Sequence, residues 1–387
     1  MMDGNPTPYP NGFIFGYNAT NLSNGTVLQF HTTDGTKQLS NGGGIWMGGA
    51  APAFGTDSSG QSWIYLTTAN GTFDLSTSGG TNAGDSFLKL NPADLTIATP
   101  TNGYGYLTPV DEFYRSSYNP MCTQNSGDID FGSGGVMLIP DGELLNWQYL
   151  AVSGDKEGGL WFTDRTNLGG HNPSCDNSQK PCNCPPPSPK DNNVQVYWTG
   201  TIGGGPPIHT SPAFWEYDQV LPELNYLFVS QQQTGVPSAP LTRYPLCAST
   251  NAETPIDTVH CSGSPVSATV NGTTIINFGW GATPAVSANG TGATDAIVWA
   301  TSKPDGDASA GTMPGILYAI DAVSMQQLYS SSTCALDQIA PATKFSVPTV
   351  ANGYVYLGTQ QTSSCPGPAC YNTGRGNFYI FGPGGHC

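Results

Sequence analysis

The densest acid–base chemistry in the chain is "DIDFGSGG", where Asp128 and Asp130 stand two residues apart. Paired carboxylates can hold Ca²⁺, which takes oxygen ligands, or one of them can act as a general base. Lys156 and Arg165 are the candidate cations for an acidic ligand, and Trp46 and Trp280 the candidate flat aromatic surfaces. Each has a plain structural reading as well. Acids that alternate along a strand are ordinary solvated groups, and large aromatics usually fill sheet cores. The 5 His are scattered, and no Ser/His/Asp order, phosphate loop or zinc motif stands out. Cations are scarce: 11 Lys and Arg against 27 Asp and Glu leave a net charge of −16. That balance argues against nucleic-acid or anionic-membrane partners. No apolar run is long enough to span a bilayer.

The 10 cysteines are even in number and fall mainly in turn-rich segments, which points to disulfides and an oxidising compartment. "CPGPAC" can be clipped by a Cys365–Cys370 bridge, and Cys247 and Cys261 flank a polar insertion. Cys182-Asn183-Cys184 lacks the second pair that a zinc site needs, and there is no CxxCH for a c-type haem. Six sequons are candidate glycosylation sites: Asn18, Asn21, Asn24, Asn70, Asn271 and Asn289. The Asn-Gly-Thr copies also read simply as turns. The run at 18, 21 and 24 is harder to dismiss, and in a eukaryotic secretory setting glycans are expected on some of these sites.

The elements that must position these groups show in "KFSVPTVANGYVYLGTQ", residues 344–360. Alternating β-branched and aromatic residues around Asn-Gly are a strong hairpin signal. A small-x-Pro-apolar phrase puts prolines at 52, 212, 284 and 348, each followed by a second strand. The gap from 52 to 212 holds one more unit without the proline, "FGSGGVMLIPDG". A second phrase alternates with the first: an apolar strand, an Asn or Asp, and a Leu or Met four residues later. Its Asx positions, 18, 91, 164 and 321, are separated by 73, 73 and 157 residues. An Asx there starts a turn through its own side chain.

Two alternating hairpins make a four-stranded repeat, and such repeats build β-propellers. The first strand of a blade has an unpaired edge, where proline is tolerated. The expected fold is therefore all-β, a propeller of four-stranded blades, preferred over a β-sandwich. About five to six blades are visible; a ring of seven or eight is what the family resemblance described below implies. The repeat runs through residues 1–387, which reads as a single domain. The chain opens on a third-strand phrase and closes on another, so N-terminal blades are expected to be missing. A Cys/Pro-rich insertion, residues 171–193, interrupts the third visible repeat, and its PPPSP run favours polyproline II. It reads as a pinned surface loop or as an arm that touches a neighbour.

"GGIWMGGAAPAF", "DIDFGSGGVMLIPDG", "LAVSGDKEGGLWFTDRTNLGG", "FGWGATPAVSANG" and "LYAIDAVSMQQLYSS" together resemble secreted propellers of the PQQ-like (quinoprotein alcohol dehydrogenase-like) superfamily. The resemblance runs in order through most of the chain. It implies the fold, and one alternative function: a PQQ- and calcium-dependent dehydrogenase oxidising alcohols or sugars. In that alternative Asp128 and Asp130 are catalytic, and Trp46, Lys156, Arg165 and Trp280 bind the cofactor. The vicinal Cys-Cys frequent in the alcohol dehydrogenases is absent here. Fold does not carry function, and the inner-strand phrases supply Gly, Ala, Ser, Thr and Pro in place of cofactor ligands. The preferred expectation is an extracellular or cell-surface binding or structural module without a cofactor. It would be a glycosylated part of an assembly whose partner is a protein, a glycan or itself. Non-reducing peptide mapping should recover Cys247 joined to Cys261 and Cys365 joined to Cys370. Removing the shorter bridge should cost only about 2 kcal/mol, because it closes a short loop.

Overall fold

The computed structural model describes residues 11–22, 27–34, 42–75, 78–98, 105–108, 130–171, 193–200, 205–217, 224–232, 239–261, 263–290, 294–304, 313–360 and 376–382. Asn24, Asp128, Cys365, Cys370 and all but the margins of the 171–193 insertion lie outside the described residues. Among the described residues the regular structure is strands and short 3₁₀ turns. The chain divides into two compact units, residues 1–142 with 147–205, and 143–146 with 206–387.

In the first unit β1 (Phe13–Gly16) and β2 (Leu28–His31) form an antiparallel hairpin. An antiparallel meander follows: β3 (Ala53–Thr56), β4 (Ser62–Thr67), β5 (Phe87–Leu90) and β6 (Tyr106–Thr108). A second meander starts with β7 (Val136–Leu138), β8 (Leu150–Gly154) and β9 (Gly159–Asp164). The chain then lays β10 (Gly170–His171) parallel against β6 and returns as β11 (Asn193–Trp198) to pair with β9.

In the second unit β12 (Ala213–Glu216), β13 (Leu224–Ser230), β14 (Leu241–Cys247) and β15 (Val266–Ser267) form one meander. A small hairpin, β16 (Thr269–Val270) and β17 (Thr274–Ile275), follows. The next meander is β18 (Ala285–Ser287), β19 (Ile297–Ser302), β20 (Ile316–Asp321) and β21 (Gln327–Ser330). The last sheet has three strands, β22 (Thr349–Ala351), β23 (Tyr354–Gly358) and β24 (Phe378–Phe381). These up-and-down sheets are the blades of a β-propeller.

The repeated phrases explain the blades. Pro52, Pro212, Pro284 and Pro348 each sit directly before β3, β12, β18 and β22, and each of those strands is the edge of its sheet. There the missing N–H removes no ladder bond. The four Asx positions also behave as their chemistry requires. Asn18, Asn91, Asp164 and Asp321 accept, through Oδ1, the backbone N–H two residues on, at 2.9, 3.0, 2.8 and 3.1 Å. In two copies the closing apolar residue, Leu95 or Met325, is buried with φ of 60° or 57°. Its amide donates to the carbonyl of Asn91 or Asp321 four residues back, at 2.7 and 2.9 Å. An apolar side chain here accepts left-handed backbone strain because burial in the core compensates. Asn352 and Gly353 both have positive φ, 51° and 77°, as the tight turn between β22 and β23 demands. The sequence phrases did not signal β10 or the β16–β17 hairpin; both are two-residue pairings with no hydrophobic period of their own.

Facing sheets bury aromatic side chains between them. In the first unit Trp63, Tyr65, Phe87, Phe131 and Trp161 form one core, and Met47, Leu66, Leu88 and Leu90 another, with Ile14 and Phe30 packed against it. In the second unit Trp215, Phe228, Phe278, Val298 and Met325 pack together, and Leu317, Val355 and Leu357 form a further cluster. A device absent from the sequence reading repeats in the first unit. An Asp in a turn accepts the indole N–H of the Trp six residues on: Asp57 from Trp63 at 2.7 Å, and Asp155 from Trp161. Each Asp also accepts the backbone N–H two residues on, at 2.9 and 2.7 Å. Asp57 adds the ammonium of fully buried Lys89 at 2.8 Å. Burial pushes the Asp57 carboxyl up, but Lys89 and Ser59 outweigh it and hold it at about 2. Its stabilising charge is therefore present above the ordinary value of 3.8 and is lost as pH falls toward 2.

In the second unit Cys247 and Cys261 are joined, with Cα atoms 5.5 Å apart. The polar loop they close turns on Asp257, whose carboxylate accepts the amides of Glu253, Val259 and His260 at 2.8, 2.9 and 3.0 Å. Lys89→Met should cost about 3–5 kcal/mol, because Asp57 stays buried without its cation. Pairing it with Asp57→Asn should recover most of that loss, read from urea unfolding of the single and double variants.

Candidate functional site

Each edge strand is entered through a short segment that carries the larger functional side chains. In the first unit Trp46 precedes a 3₁₀ turn, Met47–Gly49, on the way to β3, and Asp130 precedes another, Phe131–Gly134, on the way to β7. The glycines of the second turn permit close approach: a Cβ on Gly132 would lie 2.7 Å from the carbonyl carbon of Thr68 at the end of β4. Asp130 is thereby set against the loop between β4 and β5. Its Oδ1 accepts the amide of Asn70 at 3.0 Å. Its Oδ2 meets the ammonium of Lys156 at 2.5 Å, and Lys156 stands 5.3 Å over the ring of Trp46. Lys156 rides on the tight turn between β8 and β9, which Asp155 fixes by accepting the amides of Glu157 and Gly159 at 2.7 and 2.9 Å.

Asp85, on the same β4–β5 loop, completes this cluster. Its Oδ1 accepts the amide of Phe131 at 3.4 Å, and its backbone is left-handed, with φ 42°. Complete burial, with the neighbouring charge of Asp130 next in size, raises its carboxyl well above the ordinary range. The arrangement is a buried acid beside an ion pair capped by an indole. It holds charge and protons; among the described residues no group of three or more His, Cys, Asp or Glu side chains could hold a metal ion. Nothing in the sequence phrases singled out Asp85, and Asn70 stood out only as a sequon.

The sequence-selected residues divide accordingly. Trp46, Asp130 and Lys156 come together. Arg165 does not join them: it is buried, ion-paired with Asp141 and stacked 5.7 Å from the ring of Tyr149. Trp280 belongs to the second unit. Among the sequons Asn18, Asn21, Asn271 and Asn289 are exposed, whereas Asn70 is only 3% exposed beside Asp130. A glycan cannot be accommodated at Asn70, which corrects its candidacy.

A second cluster stands at the corresponding entry segments of the second unit. His209 lies three residues before Pro212, Trp280 four before Pro284, and Lys344 and Phe345 four and three before Pro348. The rings of His209 and Trp280 are 5.1 Å apart at 38°, those of His209 and Phe345 6.3 Å apart, and Lys344 Nζ lies 3.8 Å over Trp280. Phe345 has φ 61°, an unusual conformation for an aromatic residue. Asn277 shapes the Trp280 loop by accepting the amides of Gly279 and Ala239 at 2.9 and 3.2 Å. The Gln232 amide ties the His209 segment through the Pro207 carbonyl at 2.7 Å. Half-buried aromatic rings with a cation and an imidazole suit stacking and hydrogen bonding to a ring-shaped or aromatic polar group.

No family model and no curated protein matches the chain. Among solved structures it is similar to the Pseudomonas aeruginosa PilY1 C-terminal domain, at 11% identity and TM-score 0.47, over 90% of this chain and 76% of that one. It is also similar to a europium-containing methanol dehydrogenase, at 12% identity and TM-score 0.43, over 91% of this chain and 62% of that one. A third is the quinohemoprotein alcohol dehydrogenase from Comamonas testosteroni, at 11% identity and TM-score 0.41, over 97% of this chain and 57% of that one. The chain thus spans about three-fifths of the length of the two dehydrogenases.

Because folding raises the affinity of Asp85 for its proton, its contribution to stability is fully present below the unfolded pKa, about 3.9, and declines as pH rises above it. Asp85→Asn should therefore be at least as stable as the parent at pH 7.5, with the advantage shrinking at pH 4.5. Urea midpoints at the two pH values check this; an equal loss at both would contradict it.

Proposed function

We propose that this chain is an extracellular binding module, with the entry segments of its edge strands as the ligand-facing site. The observation that carries this reading is the convergence of His209, Trp280, Lys344 and Phe345 from three successive blades. Rigid sheets hold those segments, and recognition customarily resides in loops so held. The disulfide and the exposed sequons support an extracellular setting. The partner is a glycan or a protein, read through ring stacking.

Against PQQ with Ca²⁺, the cofactor that the family resemblance implies, stand the commitments of two described candidate residues. The Asp130 carboxylate is already neutralised by Lys156 and bonded by Asn70. Arg165, the other candidate cation for PQQ's carboxylates, is buried against Asp141. One observation favours the dehydrogenase reading: two carboxylates, Asp85 and Asp130, lie near enough for the charge of one to raise the pKa of the other.

Two measurements separate the readings. With PQQ and Ca²⁺ added, the whole chain should reduce no dye in the presence of alcohols or sugars. Turnover that disappears in Asp130→Asn would make it an oxidoreductase. On glycan and peptide arrays, Trp280→Ala should weaken the strongest ligand by roughly 30-fold, the loss of an aromatic anchor worth about 2 kcal/mol. An unchanged affinity would remove Trp280 from the site.

A further inference from the structure

β1 carries an exposed row of aromatic rings. Phe13 and Phe15 alternate along the strand, so they share one face; they are 43% and 51% exposed, and Tyr17, directly after the strand, is 60% exposed. Phe13 and Phe15 stack with centroids 6.2 Å apart and planes 7° apart. Ile14 points the other way, into the core with Met47 and Leu66. Contiguous exposed apolar surface of this kind ordinarily has a cover.

The row runs directly into the Asn18-Ala19-Thr20 sequon. Asn18 and Thr20 are exposed, and the turn there is set. Asn18 Oδ1 accepts the Thr20 amide at 2.9 Å and the Thr20 hydroxyl at 2.7 Å. We infer that Asn18 carries an N-linked glycan whose first sugar rings lie over Tyr17 and Phe15. The apolar C–H face of a pyranose is suited to an aromatic ring, and the attachment point is one residue from Tyr17. In the transfer a bond forms between Asn18 Nδ2 and the anomeric carbon. The bond from that carbon to a lipid-linked diphosphate breaks, the diphosphate leaves with the electron pair, and the amide gives up one proton. Three of the other sequons offer less: Asn70 is buried, and Asn271 and Asn289 stand in the second unit with no aromatic strand leading into them.

This inference rests on the extracellular reading above, since the donor is found in secretory compartments. It does not involve Trp280, so the two fail separately. The whole chain is expressed in a eukaryotic secretory host and mapped by peptide mass spectrometry, before and after digestion with a peptide N-glycosidase. Asn18 should be occupied and Asn70 unmodified. Enzymatic removal of the glycan should raise the fluorescence of an apolar dye and lower Tm by about 2 °C. Asn18→Asp, which bears no glycan and matches the product of the enzyme, should behave like the digested protein. Replacing Phe15 and Tyr17 by Ser should leave Asn18 occupied and abolish the effect of digestion on dye binding. An unmodified Asn18, or an occupied Asn18 whose digestion leaves dye binding unchanged, overturns the inference.

Discussion

The first strand of each full blade pairs on one side only: β3 with β4, β7 with β8, β12 with β13 and β18 with β19. An unpaired edge constrains what may enter it. Proline is accepted there because no ladder bond is lost, and small residues are favoured where neighbouring backbones come close. Gly132 against Thr68 and Gly134 against Gly154 are two such approaches. The entry segments cannot be filled with bulk along their length, so each places one or two large side chains at its start. Trp46, Asp130, His209, Trp280 and Phe345 occupy those places. In each unit the cluster is a consequence of the edge.

The second constraint is the cost of buried charge. The chain has 11 Lys and Arg. Lys89, Lys156, Arg165, Arg243 and Lys344 all make contacts inside the fold, over Trp63, Trp46, Tyr149, Tyr226 and Trp280. Lys89, Lys156 and Arg165 also neutralise Asp57, Asp130 and Asp141. Cations committed in this way are poorly placed to hold an acidic cofactor. Removing Lys89 or Lys156 would leave a buried carboxylate unpaired, which costs more than the pair itself contributes.

Much of the fold was legible because the constraints that make it are local. A proline on an edge and an Asx that bonds its own turn leave marks at fixed positions, and every one of those marks fell where the strands required it. The Asn352-Gly353 turn was equally direct. The site was legible only in part. Trp46, Asp130 and Lys156 were chosen by residue type and do meet, but Arg165 was chosen on the same grounds and is buried elsewhere. Type says what a side chain can do; it does not say which strand faces which. Asp85 was invisible because its importance comes from burial, set by a loop from one blade closing on the entry to the next. Asn70 shows the converse: a correct sequon signature made inapplicable by packing. The spacing of Asp57 to Trp63 and Asp155 to Trp161 was present in the sequence as a repeated six-residue step. That step would have found the indole–carboxylate bonds.

The account stands on Asp130 being an internal ion-pair partner rather than a ligand. Carboxyl-resolved NMR of the whole chain, titrated with Ca²⁺ at neutral pH, tests this most directly. The Asp130 and Asp85 signals should stay in place, the Asn70 amide that bonds Asp130 should stay with them, and Lys156→Met should move all three. A saturable Ca²⁺-dependent shift of Asp130 and Asp85 in the unaltered chain would contradict the account.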